Sequence, residues 1–322
     1  MLMKRSIARL ISIGIMLLGA SVAFSQDYPN KPIRIVAAQA GGTGDIVARL
    51  VARGLSGGLG QQVIVENRGG SVVIHAQIVA KALPDGYTLT LYGSSFWIGP
   101  LMRNNTPYDV VRDFSPIALV ASTPIVLVVH PSLPVKSVKE LIALAKSRPG
   151  ELDYAVGATG SINHLAAELF KSTAGVNIVH IPFKGSAPAL LALFGGEVQV
   201  SFPTAGAVTP FLKPGKLRAL AVTSAEPSAL LPGLPTMAAS GFPGYKVVTV
   251  YGMFAPAHTP ATIINRLSEE TKRSLNSADV KAKLFSYGIE VVGSSPEEFA
   301  AWIKSEMETM GQVVKDAGIR VD

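Results

Sequence analysis

The sequence predicts an α/β protein of two lobes, each built around a mainly parallel sheet. Two observations predict this. Short apolar runs alternate with amphipathic stretches in units of roughly 30 residues, the strand–helix–strand rhythm that sets neighbouring strands parallel. The series also runs twice, over residues 33–92 and again over 153–202, with a long apolar segment, 117–129, between the two.

The elements follow in order. Residues 33–38 (IRIVAA) read as a buried strand introduced by Pro29 and Pro32. Gly41 and Gly42 break it, and Asp45 opens a helix with Ile46, Val47, Leu50 and Val51 at helical spacing. Residues 63–65 form a strand, 76–82 a helix, and 87–92 a strand after the turn Pro84-Asp85-Gly86. The β-rich segment 117–129 is expected to cross from one lobe to the other, and Ser137 with Glu140 caps a helix running to Lys146. The second series places strands at 153–156, 177–181 and 198–202, with helices at 162–170 and 187–194. Residues 247–254 are expected to carry the chain back, and helices start at Pro260 and Pro296. The last is well marked: Ser295 as cap, Pro296 first, Glu298 completing a capping box, then Phe299, Trp302, Ile303, Met307, Met310 and Val314 on one stripe. The expected boundaries are 26–123 plus 247–322 for one lobe and 124–246 for the other. No fixed-period repeat or low-complexity stretch is present.

The amino terminus carries an export signal. Lys4, Arg5 and Arg9 precede an uncharged apolar run over residues 10–23, and small residues at Ala23 and Ser25 favour cleavage before Gln26. A bilayer-spanning helix needs about 20 apolar residues, so this run is a leader and not an anchor. With no cysteine in the chain, there is neither a disulfide framework nor a lipid-anchored cysteine, and the exported protein is expected to diffuse freely. The net charge of +7 falls to +4 once the three leader charges are removed. The remaining Lys and Arg form no basic patch interleaved with aromatics, which argues against nucleic acid. A mild positive balance suits steering of a small anion.

Two segments share one design. A strand runs into Gln39-Ala40-Gly41-Gly42-Thr43-Gly44-Asp45 and then a helix; another runs into Gly157-Ala158-Thr159-Gly160-Ser161 and then a helix. Glycine lets backbone N–H groups turn toward a ligand, and a helix start adds unpaired donors and partial positive charge. Such termini bind carboxylates, and at the carboxyl edge of an open sheet the two loops would form the walls of a cleft. The same residues also suit tight turns and simple caps, with His164 packing or capping in the second helix; the spelling alone leaves both readings open.

Enzyme signals are weak. Gly54-Leu55-Ser56-Gly57-Gly58 spells a nucleophile elbow, but it follows a helix where an elbow needs a strand. The five histidines share no metal-ligand spacing, and there is no phosphate-cradling loop, so neither a metal nor a cofactor is expected. A secreted hydrolase using Ser56 is the alternative from a different class. A sensor subunit feeding a membrane signalling system is another.

The chain resembles the Bug family, the substrate-binding receptors of tripartite tricarboxylate transporters. The resemblance runs from Asp27 to the end of the chain and is carried by YPNKPIRIVAAQAGG at 28–42, VENR at 65–68, PDGYTL at 84–89, HLAAELF at 164–170, IPFKGSAPALLALFGGEVQV at 181–200, GKLRALAVTS at 215–224 and YGMFAPAHTPATI at 251–263. It implies a type II periplasmic-binding fold, two α/β lobes joined by two crossing strands. It also implies a non-enzymatic receptor that closes on a small carboxylate and passes it to membrane transporter subunits. The ligand-binding residues expected are Gln39, Ala40, Gly41, Gly42, Thr43 and Asp45 in the first loop. Ser94, Lys184 and Thr204 are expected to line the floor and Thr159, Gly160 and Ser161 to close from the second lobe, with Ser71, His164 and Gly185 completing the set. Four departures from the family pattern, Gly44, Val72-Val73 for a glycine pair, Val156 with Ala158, and Pro203, imply a tighter, more apolar pocket. Val72 and Val73 are expected to offer methyl groups to the body of an apolar ligand.

Overall fold

The computed structural model describes residues 28–38, 40–68, 72–157, 159–183 and 185–320. The leader and its cleavage position lie outside the described residues, as do Gln39, Ser71 and Lys184.

The first series builds β1 (Ile33–Ala37), α1 (Thr43–Leu59), β2 (Val63–Asn67), α2 (Val72–Ala80) and β3 (Thr88–Gly93). Three short turns of helix follow: α3 (Ser95–Ile98), a 3-10 turn (Gly99–Met102) and α4 (Val110–Asp113). The segment read as one crossing strand is two: β4 (Phe114–Pro124) and β5 (Val126–Val129), which belong to different sheets. Pro124 lacks the N–H that a central strand would need, and the chain changes sheet there. The second series is α5 (Val138–Ser147), β6 (Asp153–Val156), α6 (Ile162–Ala174), β7 (Val179–Pro182), α7 (Ser186–Gly195), β8 (Val200–Ser201), α8 (Ala205–Leu212) and β9 (Arg218–Val222). Then come β10 (Val248–Pro256), α9 (Ala261–Leu275), α10 (Ala278–Ser286), β11 (Glu290–Val291) and α11 (Pro296–Asp316).

The first sheet has the order β11-β4-β10-β3-β1-β2, the second β7-β6-β8-β5-β9. Between named strands, parallel pairing joins β1 to β2 and β3, and β6 to β7 and β8. The strands next to the crossings, β4, β5, β9, β10 and β11, pair antiparallel. A strand arriving from the other sheet owes its direction to no βαβ crossover, so the expected parallel character holds only where helices intervene.

Helix signals in the sequence are realised closely. Ser137 Oγ accepts the Glu140 N–H at 3.2 Å, and the Ser295–Glu298 capping box is closed from both sides. Two glycines of α1 have a packing cause. A Cβ at Gly54 would lie 1.6 Å from Ser274 Oγ and one at Gly58 2.2 Å from Glu270 Oε2, so α1 and α9 touch with no room for side chains between them. Ser56, between these glycines, gives its hydroxyl to Ala52 O at 2.8 Å and accepts the Val63 N–H at 2.9 Å. The elbow spelling is thus a helix-packing pattern inside α1, and Ser56 ties that helix to β2.

Helix α2 starts at Val72 and not at 76. Val72 is buried in the same cluster as Ala76, Val79, Phe96 and Trp97, with Val73 half-buried against it. For Val72 the expectation of a ligand-facing side chain is corrected here: one helical turn more of α2 rotates it inward with its i+4 and i+7 neighbours. Among the described residues no helix is long and apolar enough to cross a membrane.

Candidate functional site

Both loops carry a left-handed glycine just before their helix, Gly41 at φ 80° and Gly160 at φ 75°. Gly41 gives its N–H to Asp45 Oδ2 at 2.9 Å. The Asp45 carboxylate is buried and also accepts from Asn67 Nδ2 at 2.8 Å while pairing with Arg49 at 3.0 Å. Asn67 in turn reaches Ala38 O at 2.7 Å, so β1, β2 and α1 are tied at one point. Burial pushes the Asp45 carboxyl up, but the Gly41 N–H, Asn67 and Arg49 together hold it below the usual range.

In the second loop Gly160 gives its N–H to His164 Nδ1 at 3.0 Å. Ser161 caps α6 by accepting the His164 N–H at 3.2 Å. The buried His164 ring stacks on His180 at 4.4 Å, and His180 stacks on Tyr154 at 5.0 Å. Burial first, then the neighbouring His180, push the His164 ring down to about 4. Gly157 is required where α7 closes on the loop: a Cβ there would stand 2.8 Å from the Ser186 N.

Beside these loops lie two cavities. One, of about 220 Å³, is lined by Thr43 and Ile46 from α1, Thr123 at the end of β4, Thr204 and Ala207 at α8, and Tyr287 before β11. The other, of about 360 Å³, lies against the second sheet and has walls of Val156, Phe202, Pro203 and Leu190, with Asn163 and Ser186 as polar groups. Thr204 and Ala207 line both. The first cavity is therefore walled by α1 and β4 on the side of the first sheet and by α8, which follows β8 of the second sheet, while the second lies against β6 and β8.

Of the expected residues, Thr43 and Thr204 meet across the first cavity. Ala40, Gly41, Gly42 and Thr159 are exposed at the loop crests. Gly185, at φ 116°, caps α7. Ser94 is buried beneath β10, where its hydroxyl accepts the Val250 N–H at 3.3 Å, so it supports the sheet. Residues that the sequence reading passed over are Asn163, Tyr251 and Tyr287. Asn163 gives Nδ2 to Phe202 O at 2.6 Å while lining the second cavity. A Cβ on Gly44 would stand 3.5 Å from the Tyr251 ring, and burial, against a Thr43 hydrogen bond, raises the Tyr251 hydroxyl to about 12. Tyr251 stood in a quoted stretch of the resemblance, which could have flagged it; Asn163 and Tyr287 carried no signal.

Two α/β sheets with paired strand-to-helix loops and an intervening cavity define a solute-binding protein of the periplasmic type. The tripartite tricarboxylate transporter family receptor pattern matches residues 47–319, and the chain belongs to this family. Among curated relatives it is 37% identical to protein BugT of Bordetella pertussis, over 96% of this chain and 97% of that one. Among solved structures it is similar to R. palustris Rpa4515 with adipate, at 38% identity and TM-score 0.81, covering 91% of this chain and 99% of the other. It is also similar to MatC from Rhodopseudomonas palustris with bound malate, at 29% identity and TM-score 0.75, covering 89% and 100%.

Proposed function

We propose that this receptor works in the periplasm as a non-enzymatic monomer, binding one small carboxylate between its two lobes and delivering it to a tripartite transporter in the membrane. The lobes are residues 26–123 with 247–322, and residues 124–246. The observation that carries the reading is the cavity that Thr43, at the end of the first glycine loop, and Thr204, at the start of α8, share, next to a second cavity that Gly157 of the other loop lines. Backbone donors at the starts of α1 and α6 suit carboxylate oxygens. The apolar walls Val156, Phe202 and Leu190 suit a hydrocarbon body, each Å² buried contributing about 25 cal/mol. Relatives solved with adipate and with malate support a dicarboxylate of this size. A ligand touching both lobes favours the closed arrangement, so binding shifts the population toward it.

A thermal-shift screen of adipate, malate, citrate and an aromatic carboxylate tests the reading. A ligand at 100 times its Kd stabilises by about 2.7 kcal/mol, a readily measured shift. Adipate is expected to shift the melting temperature more than citrate does. No shift with any carboxylate would remove the proposal.

A further inference from the structure

The two loops are held from beneath by one device. In each, the left-handed glycine gives its N–H to a side chain four residues on, in the first turns of the helix: Gly41 to Asp45, Gly160 to His164. Both acceptors are buried, and both are anchored on their far side. Asn67 and Arg49 fix the carboxylate; stacking on His180 fixes the ring.

We infer that Asp45 and His164 are positioning residues, which hold Gly41 and Gly160 in the ligand-ready turn and touch no ligand themselves. This rests on the receptor reading above. Chemistry favours it over direct contact. A carboxylate at Asp45 would repel a carboxylate ligand, and its oxygens already serve Gly41, Asn67 and Arg49. His164 can accept from Gly160 only through a bare Nδ1, so its proton sits on Nε2, which faces Glu168 Oε1 at 3.9 Å. A neutral acceptor pointed at a backbone N–H attracts no anion. What the device does is fix a turn. With its N–H engaged, each glycine loses the many backbone states it would otherwise sample, and the next donors along each helix start face the cleft already ordered.

The test uses His164→Phe, which keeps a ring to stack on His180 but has no acceptor, and His164→Asn, whose Oδ1 falls where Nδ1 was. Asp45→Ala serves the other loop. Two readouts are taken on the full-length mature protein: backbone amide exchange at Gly41 and Gly160 by NMR, and calorimetric affinity for adipate as probe. A lost buried hydrogen bond corresponds to about a tenfold effect. The Gly160 amide is expected to exchange at least about tenfold faster in His164→Phe, with a similar rise in adipate Kd, and to stay near wild type in His164→Asn. Asp45→Ala should do the same at Gly41. Unchanged Gly160 exchange in His164→Phe overturns the inference, as does faster exchange with undiminished affinity. If the wild type takes up no adipate or malate, the dicarboxylate reading fails while amide exchange still decides whether the two acceptors hold the loops. Should His164→Phe not fold, the Asp45→Ala comparison at Gly41 decides.

Discussion

At the scale of single residues, Val72 shows how a family departure can be about the core. Val72, where the resemblance implied a glycine, joins the cluster around Phe96 and Trp97. The double change Val72→Gly with Val73→Gly therefore removes buried methyls and adds two glycines to a helix start. We expect it to cost about 3 kcal/mol in urea unfolding and to leave the ratio of adipate to citrate affinity as it was. A changed ratio would return these side chains to the pocket.

A buried histidine and a half-buried glutamate set opposite pH dependences. His164 faces Tyr154 from β6, His180 from β7, and Glu168 and Lys171 on its own helix. With its folded value near 4 against 6.5 unfolded, the unfolded chain binds the extra proton between those limits. Stability therefore falls as pH drops from 6.5 to 4. Glu306 on α11 behaves in the other sense. Its enclosure raises it to about 7, although Trp97 and Trp302 both donate to its Oε2, at 2.6 and 3.1 Å, and Lys246 lies near. The folded carboxyl keeps its proton longer, so stability is lost as pH rises from 4.5 through 7. Glu306→Gln retains an acceptor for both indoles and should exceed wild type at pH 8 by up to about 3 kcal/mol, with no gain at pH 4. Parallel stability curves for the two proteins would refute this.

At the scale of elements, α1 and α9 decide between two effects of one substitution. Gly54→Ala should favour the helix by about 1 kcal/mol on propensity alone. Its methyl would meet Ser274 Oγ at 1.6 Å, and overpacking of this kind costs roughly 1–3 kcal/mol. We expect net destabilisation, recovered when Ser274→Gly is added. A more stable single variant would mean that the helices part freely. Such contacts explain what the sequence made legible. Strands, caps and the α11 stripe follow from local periodicity and spacing, so 153–156 and the Ser295–Glu298 box could be read directly. The break at Pro124 was hidden in a run that is apolar on both sides, because burial in two sheets erases alternation. The Val72 start of α2 was hidden because β-branched residues at a helix start look like loop or strand. Of the candidate site, the loops were legible as glycine before helix; the hydrogen bonds to Asp45 and His164, and the cavity's share of Tyr287, depend on chain folding and were not.

At the scale of the molecule, the two sheets are joined at a small cluster. Thr223 is fully buried and its hydroxyl lies 3.0 Å from Ile125 O and 2.5 Å from Val247 O, so both crossing segments meet on one side chain. Farther out, α8 touches the turn before β11: a Cβ on Gly206 would stand 2.3 Å from Tyr287 O. These backbones stand together with no side chain between them. Gly206→Ala is expected to hold the lobes apart, raising the adipate Kd by about tenfold with a larger radius of gyration in solution scattering. Equal affinity and equal radius would show that this contact does not govern closure.

The central claim, that a small carboxylate occupies the cavity between the lobes, is tested most directly by isothermal titration of the mature protein with adipate, then malate and citrate. The account predicts saturable binding of one adipate per chain, tighter than citrate, with the ligand recovered chemically unchanged. Folded protein that gives no binding heat with any of the three, or that converts the ligand, would contradict it.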